Sequence, residues 1–155
     1  MSDMQIIVFA VAAERYGVDV AQVRSIERVP SISRVPRTLP FIKGVINLRG
    51  TVTPVMDLRG RFGFPDTEYG EDSRIVVVEV DQTTIGLIVD AVMDVTTLDA
   101  SAIQPPPALV GGVQAVYLNG VAQTADGLLI LLNLERVLSE AEASQLKLVE
   151  ESMRE

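Results

Sequence analysis

The chain has 155 residues, 48% hydrophobic and 22% charged, with a formal net charge of −8 and neither cysteine nor histidine. That size and apolar share suit one globular domain or two very small ones, and the acidic balance repels phosphate backbones and anionic lipid, so nucleic acid and the membrane surface are excluded as expected partners. Without Cys or His there is no disulfide, no thiolate nucleophile, and neither the commonest general base nor the commonest metal ligand.

The first apolar run, Ile6 to Ala13, is cut by Glu14 and Arg15. It is too short to span a bilayer and has no basic leader, so no signal peptide is read and a cytoplasmic protein is expected. Ile6–Ala12 predicts a strand, Ala13-Glu14-Arg15 a polar turn, and Gly17 the entry to a second strand that weakens at Val23-Arg24-Ser25-Ile26. A proline-bearing connection follows from Pro30 to Pro40, since proline cannot donate to a ladder. A hairpin comes next: Val45–Leu48, Arg49-Gly50 as the turn, and Thr51–Leu58.

The same plan then repeats. Ile75-Val76-Val77-Val78-Glu79-Val80 lies 69 residues after Ile6-Ile7-Val8-Phe9-Ala10-Val11, and at the same offset Gly86 falls on Gly17, Val92 on Val23 and Val95 on Ile26. The second connection is Gln104-Pro105-Pro106-Pro107, and the second hairpin runs through Asn119-Gly120 and a longer turn at Thr124–Gly127. Gly17, Gly44, Gly50, Gly86 and Gly120 are taken as structural turn positions, with positive φ the expected reason at Gly17 and Gly86.

A β unit is thus written twice, over roughly 5–68 and 74–138 of one domain spanning 1–155. Five short strands per unit suit a small closed barrel, which removes exposed edges. The expected fold is all-β, with two pseudo-symmetric five-stranded barrels packed together. The boundary of the repeat need not be the boundary in space, because duplicated units of this size often exchange strands. From Asn133 the apolar spacing turns helical through Leu134, Val137, Leu138 and Ala141, predicting a C-terminal helical segment over 133–153 with Asn133 as N-cap. That helix either packs on a barrel or offers a face to a partner.

Little in the chain resembles a reactive site. Asp19, Asp57 and Asp90 stand at strand ends, where carboxylates cap backbone N–H groups; paired, they would serve acid/base chemistry in a small carboxylate enzyme. Gly111-Gly112 and Arg59-Gly60-Arg61-Phe62-Gly63 lack phosphate-loop spacing. Asp66, Glu68, Glu71 and Asp72 lack the central glycine and closing glutamate of a calcium loop, so no metal or cofactor is expected. The segment Phe41 to Gly50 stands out as apolar, glycine-punctuated and carrying Lys43 and Arg49 in an acidic chain. Arg49 either occupies a hairpin turn or anchors an interface, where its planar donor fork suits carboxylates.

Here the chain resembles the CheW family of chemotaxis coupling proteins. The words that carry the resemblance are Pro40-Phe41-Ile42-Lys43-Gly44-Val45-Ile46-Asn47-Leu48-Arg49-Gly50, Val55-Met56-Asp57-Leu58-Arg59, Tyr16-Gly17-Val18-Asp19-Val20, Gly86-Leu87-Ile88-Val89-Asp90 and Ile103-Gln104-Pro105-Pro106-Pro107. The resemblance runs from about Gln5 to Leu146. It implies SH3-like barrels and a non-catalytic adaptor joining the cytoplasmic tip of methyl-accepting chemoreceptors to the regulatory domain of the histidine kinase CheA. Such an adaptor is cytoplasmic and is recruited to receptor arrays through its partners. The receptor helix would lie in a groove between the barrels involving Val20, Val23, Ile26, Lys43, Asn47 and Arg49. Two residues after Val23, where the family often has Glu, this chain has Ser25, which cannot form an ion pair. A CheW-like coupler of a type IV pilus or developmental pathway is the alternative output.

Overall fold

The computed structural model describes residues 3–30, 42–65, 68–110, 113–114 and 117–137. The first half forms β1 (Asp3–Val11), β2 (Glu14–Asp19), β3 (Val23–Arg28), β4 (Ile42–Leu48), β5 (Thr51–Asp57) and the one-turn α1 (Leu58–Arg61). The second forms β6 (Arg74–Val80), β7 (Thr83–Val89), β8 (Ala91–Asp99), the short β9 (Leu109–Val110) and β10 (Val113–Gln114), then β11 (Leu118–Thr124), β12 (Gly127–Leu132) and the one-turn α2 (Leu134–Val137). The expected connection over Pro30–Pro40 and the helical segment beyond Val137 lie outside the described residues, Pro30 excepted.

The strands make two five-stranded sheets, ordered β11-β12-β2-β1-β8 and β3-β6-β7-β5-β4. Each sheet takes two strands from one repeat and three from the other. The first is closed by Gln104, which follows β8 and exchanges both backbone hydrogen bonds with Val121 of β11 (2.8 and 2.9 Å). In the second, the terminal strands approach where Arg49, at the end of β4, comes to 3.7 Å from Glu27 of β3. The fold is all-β, with two SH3-like barrel subdomains.

A parallel pair seals each exchange: β12 beside β2 with Leu131 opposite Gly17, and β5 beside β7 with Val55 opposite Gly86. Gly17 and Gly86 therefore sit inside strands, not at turns, and neither has a positive φ. The expectation was right about their being structural but wrong about the cause. A Cβ on Gly86 would meet Ile75 Cγ2 at 2.6 Å and Val55 Cγ1 at 2.9 Å, while one on Gly17 would strike Ile6 Cγ2 and crowd Leu131. Ile6 and Ile75 are themselves 69 residues apart, so the repeat extends to the atoms that fill the glycine gaps.

Asn119-Gly120 is not a turn either. It lies in β11 at a shift of register, with Gly120 pressed against Gln104 O, 2.8 Å from where its Cβ would stand. The close approach of the closing segment requires glycine there. Gly44 likewise lies at a register shift within β4, with φ +145°. Of the five, Gly50 alone occupies a tight turn, with Arg49 (φ +52°) and Gly50 (φ +85°) forming a two-residue connection of the mirror-image type that matches strand twist. Ala12-Ala13 and Asp81-Gln82 make the same turn at positive φ, the first of them one residue earlier than the polar cluster Ala13-Glu14-Arg15 suggested.

Alternate faces of the long strands bury in different cores. Ile6 and Val8 fill the first barrel with Leu129 and Leu131; Ile75 and Val77 fill the second with Val55 and Ile88. Ile7, Phe9, Tyr16, Val76, Val78 and Leu87 face a larger core shared between the barrels. Burial on both faces explains why β1 and β6 read as continuous apolar runs instead of alternating. Phe9, Tyr16, Phe62 and Tyr117 follow one another through this core with centroids 5.7–6.3 Å apart, the first two pairs stacked and the last tilted. Burial of Tyr16 pushes its phenol up to about 12.

Candidate functional site: the rim of the inter-barrel core

Val20 and Val23 pack against the shared core, where β3 borders β6. Val23 lies opposite Val78 and Ile26 opposite Val76, and opposed residues share a face. Ile26 therefore prolongs the shared apolar face outward, where it is 41% exposed. This is a line of aliphatic side chains running from core to solvent.

The three hairpin residues sit differently. Lys43 is half-buried and Asn47 exposed on β4, at the other end of the sheet order from β3. Asn47 Oδ1 accepts the Gly50 N–H at 2.8 Å and so closes its own turn. Arg49, with a side chain 76% exposed, leans toward Glu27 on β3. The structure thus gathers Val20, Val23 and Ile26 along one border; Arg49 reaches Glu27, which lies opposite Ile75 and so on the other face of β3 from Ile26, and Lys43 and Asn47 stay on the hairpin. Ser25 Oγ is buried and finds no hydrogen-bond partner among the described residues; Glu27, two positions on, is the acid that approaches Arg49.

β8 presents a second such rim that residue-level reading did not single out. Val92 packs against the same core, Val95 lies opposite Ile7, and Val95 and Met93 are 54% and 56% exposed. The repeat offset had already placed Val92 and Val95 on Val23 and Ile26, and that was the available signal.

The carboxylates prove to be caps. Asp19 accepts the Ala21 N–H, and buried Asp57 accepts the Arg59 N–H (2.9 Å) and the Tyr69 hydroxyl (3.0 Å). Asp90 accepts the Ala12 N–H and a forked pair from Arg59, at 3.0 Å from Nε and 2.7 Å from the terminal nitrogen. The Arg59 guanidinium is held still more firmly protonated by its hydrogen bonds to Asp90. Among the described residues no group of acidic side chains is placed to hold a metal ion, and no helix is long and apolar enough to cross a membrane.

Residues 5–142 match the family model of a CheW-like domain. The chain belongs to the CheW family. It is 38% identical over 141 residues to the chemotaxis protein CheW of Bacillus subtilis, covering 91% of this chain and 90% of that protein. Against the CheW of Klebsiella aerogenes it is 35% identical over 138 residues, covering 89% and 83%. Protein FrzA of Myxococcus xanthus is 32% identical over 135 residues, with 86% and 84% covered. The crystal structure of the scaffolding protein TtCheW from Thermoanaerobacter tengcongensis superposes with a TM-score of 0.83 at 37% identity, covering 92% of each chain. Within the CheW family this chain is a scaffold protein of chemotaxis.

Proposed function

We propose that the chain couples the cytoplasmic tip of a methyl-accepting chemoreceptor to the regulatory domain of the kinase CheA, holding the two in fixed geometry at the cytoplasmic face of a receptor array. The observation that carries this reading is the emergence of Val20, Val23 and Ile26 from a sealed core into solvent. An exposed, contiguous aliphatic line is costly unless something covers it, and the apolar face of a helix is a fitting cover. Arg49, exposed at the hairpin turn and near Glu27 of the same strand as Ile26, is the cationic anchor for carboxylates or carbonyls on the receptor helix. Val92, Met93 and Val95 form the corresponding line on β8.

The test is co-sedimentation of receptor and kinase fragments with and without this protein. The kinase fragment should pellet with receptor only when the protein is present. Arg49→Ala, in a chain that keeps its melting temperature, should weaken binding to receptor-tip helices by about 1–2 kcal/mol. Unchanged affinity would remove Arg49 from the interface, and kinase recruitment without the protein would remove the coupling role.

A further inference from the structure

The two barrels share one architecture at the end of the parallel pair but not one chemistry. In the second barrel, β5 runs into a turn begun by Asp57, and the second residue of that turn, Arg59, forks onto Asp90 just past β7. In the first barrel, β12 runs into a turn begun by Asn133, whose Oδ1 accepts the Arg136 N–H at 3.3 Å. The second residue here is Glu135, and the nearby acid, Asp19 at the end of β2, stands level with Asn133, two positions earlier than Asp90 stands relative to Asp57. Where one barrel has guanidinium against carboxylate, the other has two carboxylates.

Asp19 and Glu135 line an open cleft of about 460 Å³ in the first barrel, with an apolar floor that includes Ile6, Val18, Ile103 and Leu131. No Lys or Arg among the described residues lines it. The cleft therefore has the chemistry an arginine side chain needs: two acids, apolar walls for a methylene stem, and no Lys or Arg among the described residues in its lining. We propose that this cleft receives an arginine side chain presented by a partner protein, its stem on Ile103 and its guanidinium between Asp19 and Glu135. Charge complementarity selects the occupant, since two carboxylates at the mouth disfavour an acidic or purely aliphatic one. The cleft adjoins the β3 rim, since Asp19 and Gln22 neighbour Val20 and Val23 in the chain, and the peptide test below reads its occupancy without any receptor present.

The test uses the full chain and two blocked tripeptides, acetyl-Leu-Arg-Leu-amide and its citrulline counterpart, which keeps the shape and loses the charge. The side-chain amide signals of Gln22 and Asn119, both lining the cleft, report occupancy by NMR. Saturable shifts of these signals are expected with the arginine peptide, with affinity about tenfold lower for citrulline, as for loss of a charge-assisted pair. Asp19→Asn with Glu135→Gln keeps the cap and the shape, and should remove the difference between peptides. Equal binding of both peptides, shifts confined to other residues, or no saturable shift at all would each overturn the proposal. Insensitivity of the discrimination to the double substitution would overturn it too.

Discussion

The Asp57 turn of the second barrel and the Asn133 turn of the first share a backbone and differ in charge. Each follows a strand in parallel register with a glycine strand, and each starts with a side-chain oxygen capping an N–H. Yet one is locked by Tyr69, Arg59 and Asp90, whereas the other is open and acidic. Apolar packing and glycine gaps fix the backbone in both; polar side chains at the ends have been free to diverge, because strand pairing does not use them. One barrel has its end tied internally, and the other has an end available for binding.

The shared part of this comparison is broken most severely at the glycines. Gly17→Val and Gly86→Val should each cost about 3 kcal/mol, because the added atoms meet branched, buried side chains that cannot yield. In urea unfolding the two losses should be similar; a mutant that keeps its midpoint would show that its barrel is not built on the close approach. The differing part predicts unequal losses. Arg59→Ala should destabilise by about 1–2 kcal/mol, since it strips a forked partner from half-buried Asp90, while Glu135→Ala should stay within about 0.5 kcal/mol. Equal effects in thermal melts would contradict the asymmetry.

The core joining the barrels is checked by titration. Tyr16 holds its proton to about 12, two units above its usual value. Between pH 10 and 12 the native state therefore binds more protons than the unfolded chain, and stability falls as pH rises through that window. One of the three tyrosines should ionise only near pH 12 in an absorbance titration. Early ionisation of all three would mean that the inter-barrel core admits solvent. The smallest expected effect is at the matched hairpins. Ala13→Gly should stabilise by about 0.5–1 kcal/mol by relieving a left-handed alanine. Gln82→Gly should gain a similar amount at the same backbone angles, and a loss at either would argue against the turn type.

Strands were legible because apolar runs and turn residues are local signals. Arg74–Val80 coincides with β6, and Val45–Leu48 falls inside β4. What stayed hidden needed a second strand to be seen. Gly17 and Gly86 read as turns because nothing nearby in sequence reveals Leu131 or Val55 beside them. Asn119-Gly120 has the composition of a hairpin turn, but the approach of Gln104 makes it a strand. At the rim, the family resemblance named Val20, Val23 and Ile26 without showing which were exposed. The lean of Arg49 toward Glu27 is a tertiary fact that no spacing encodes, whereas the tie of Asn47 to Gly50 is local to its own turn.

The exchange of strands carries an ancestral implication. A single unit of this length possesses two strands of one barrel and three of the other, so alone it completes neither. Two copies about a twofold axis would complete both at once, as a swapped homodimer with identical ends. In a single polypeptide the two ends need not be identical, and here one pole is tied by Arg59 and Asp90 while the other opens on a cleft.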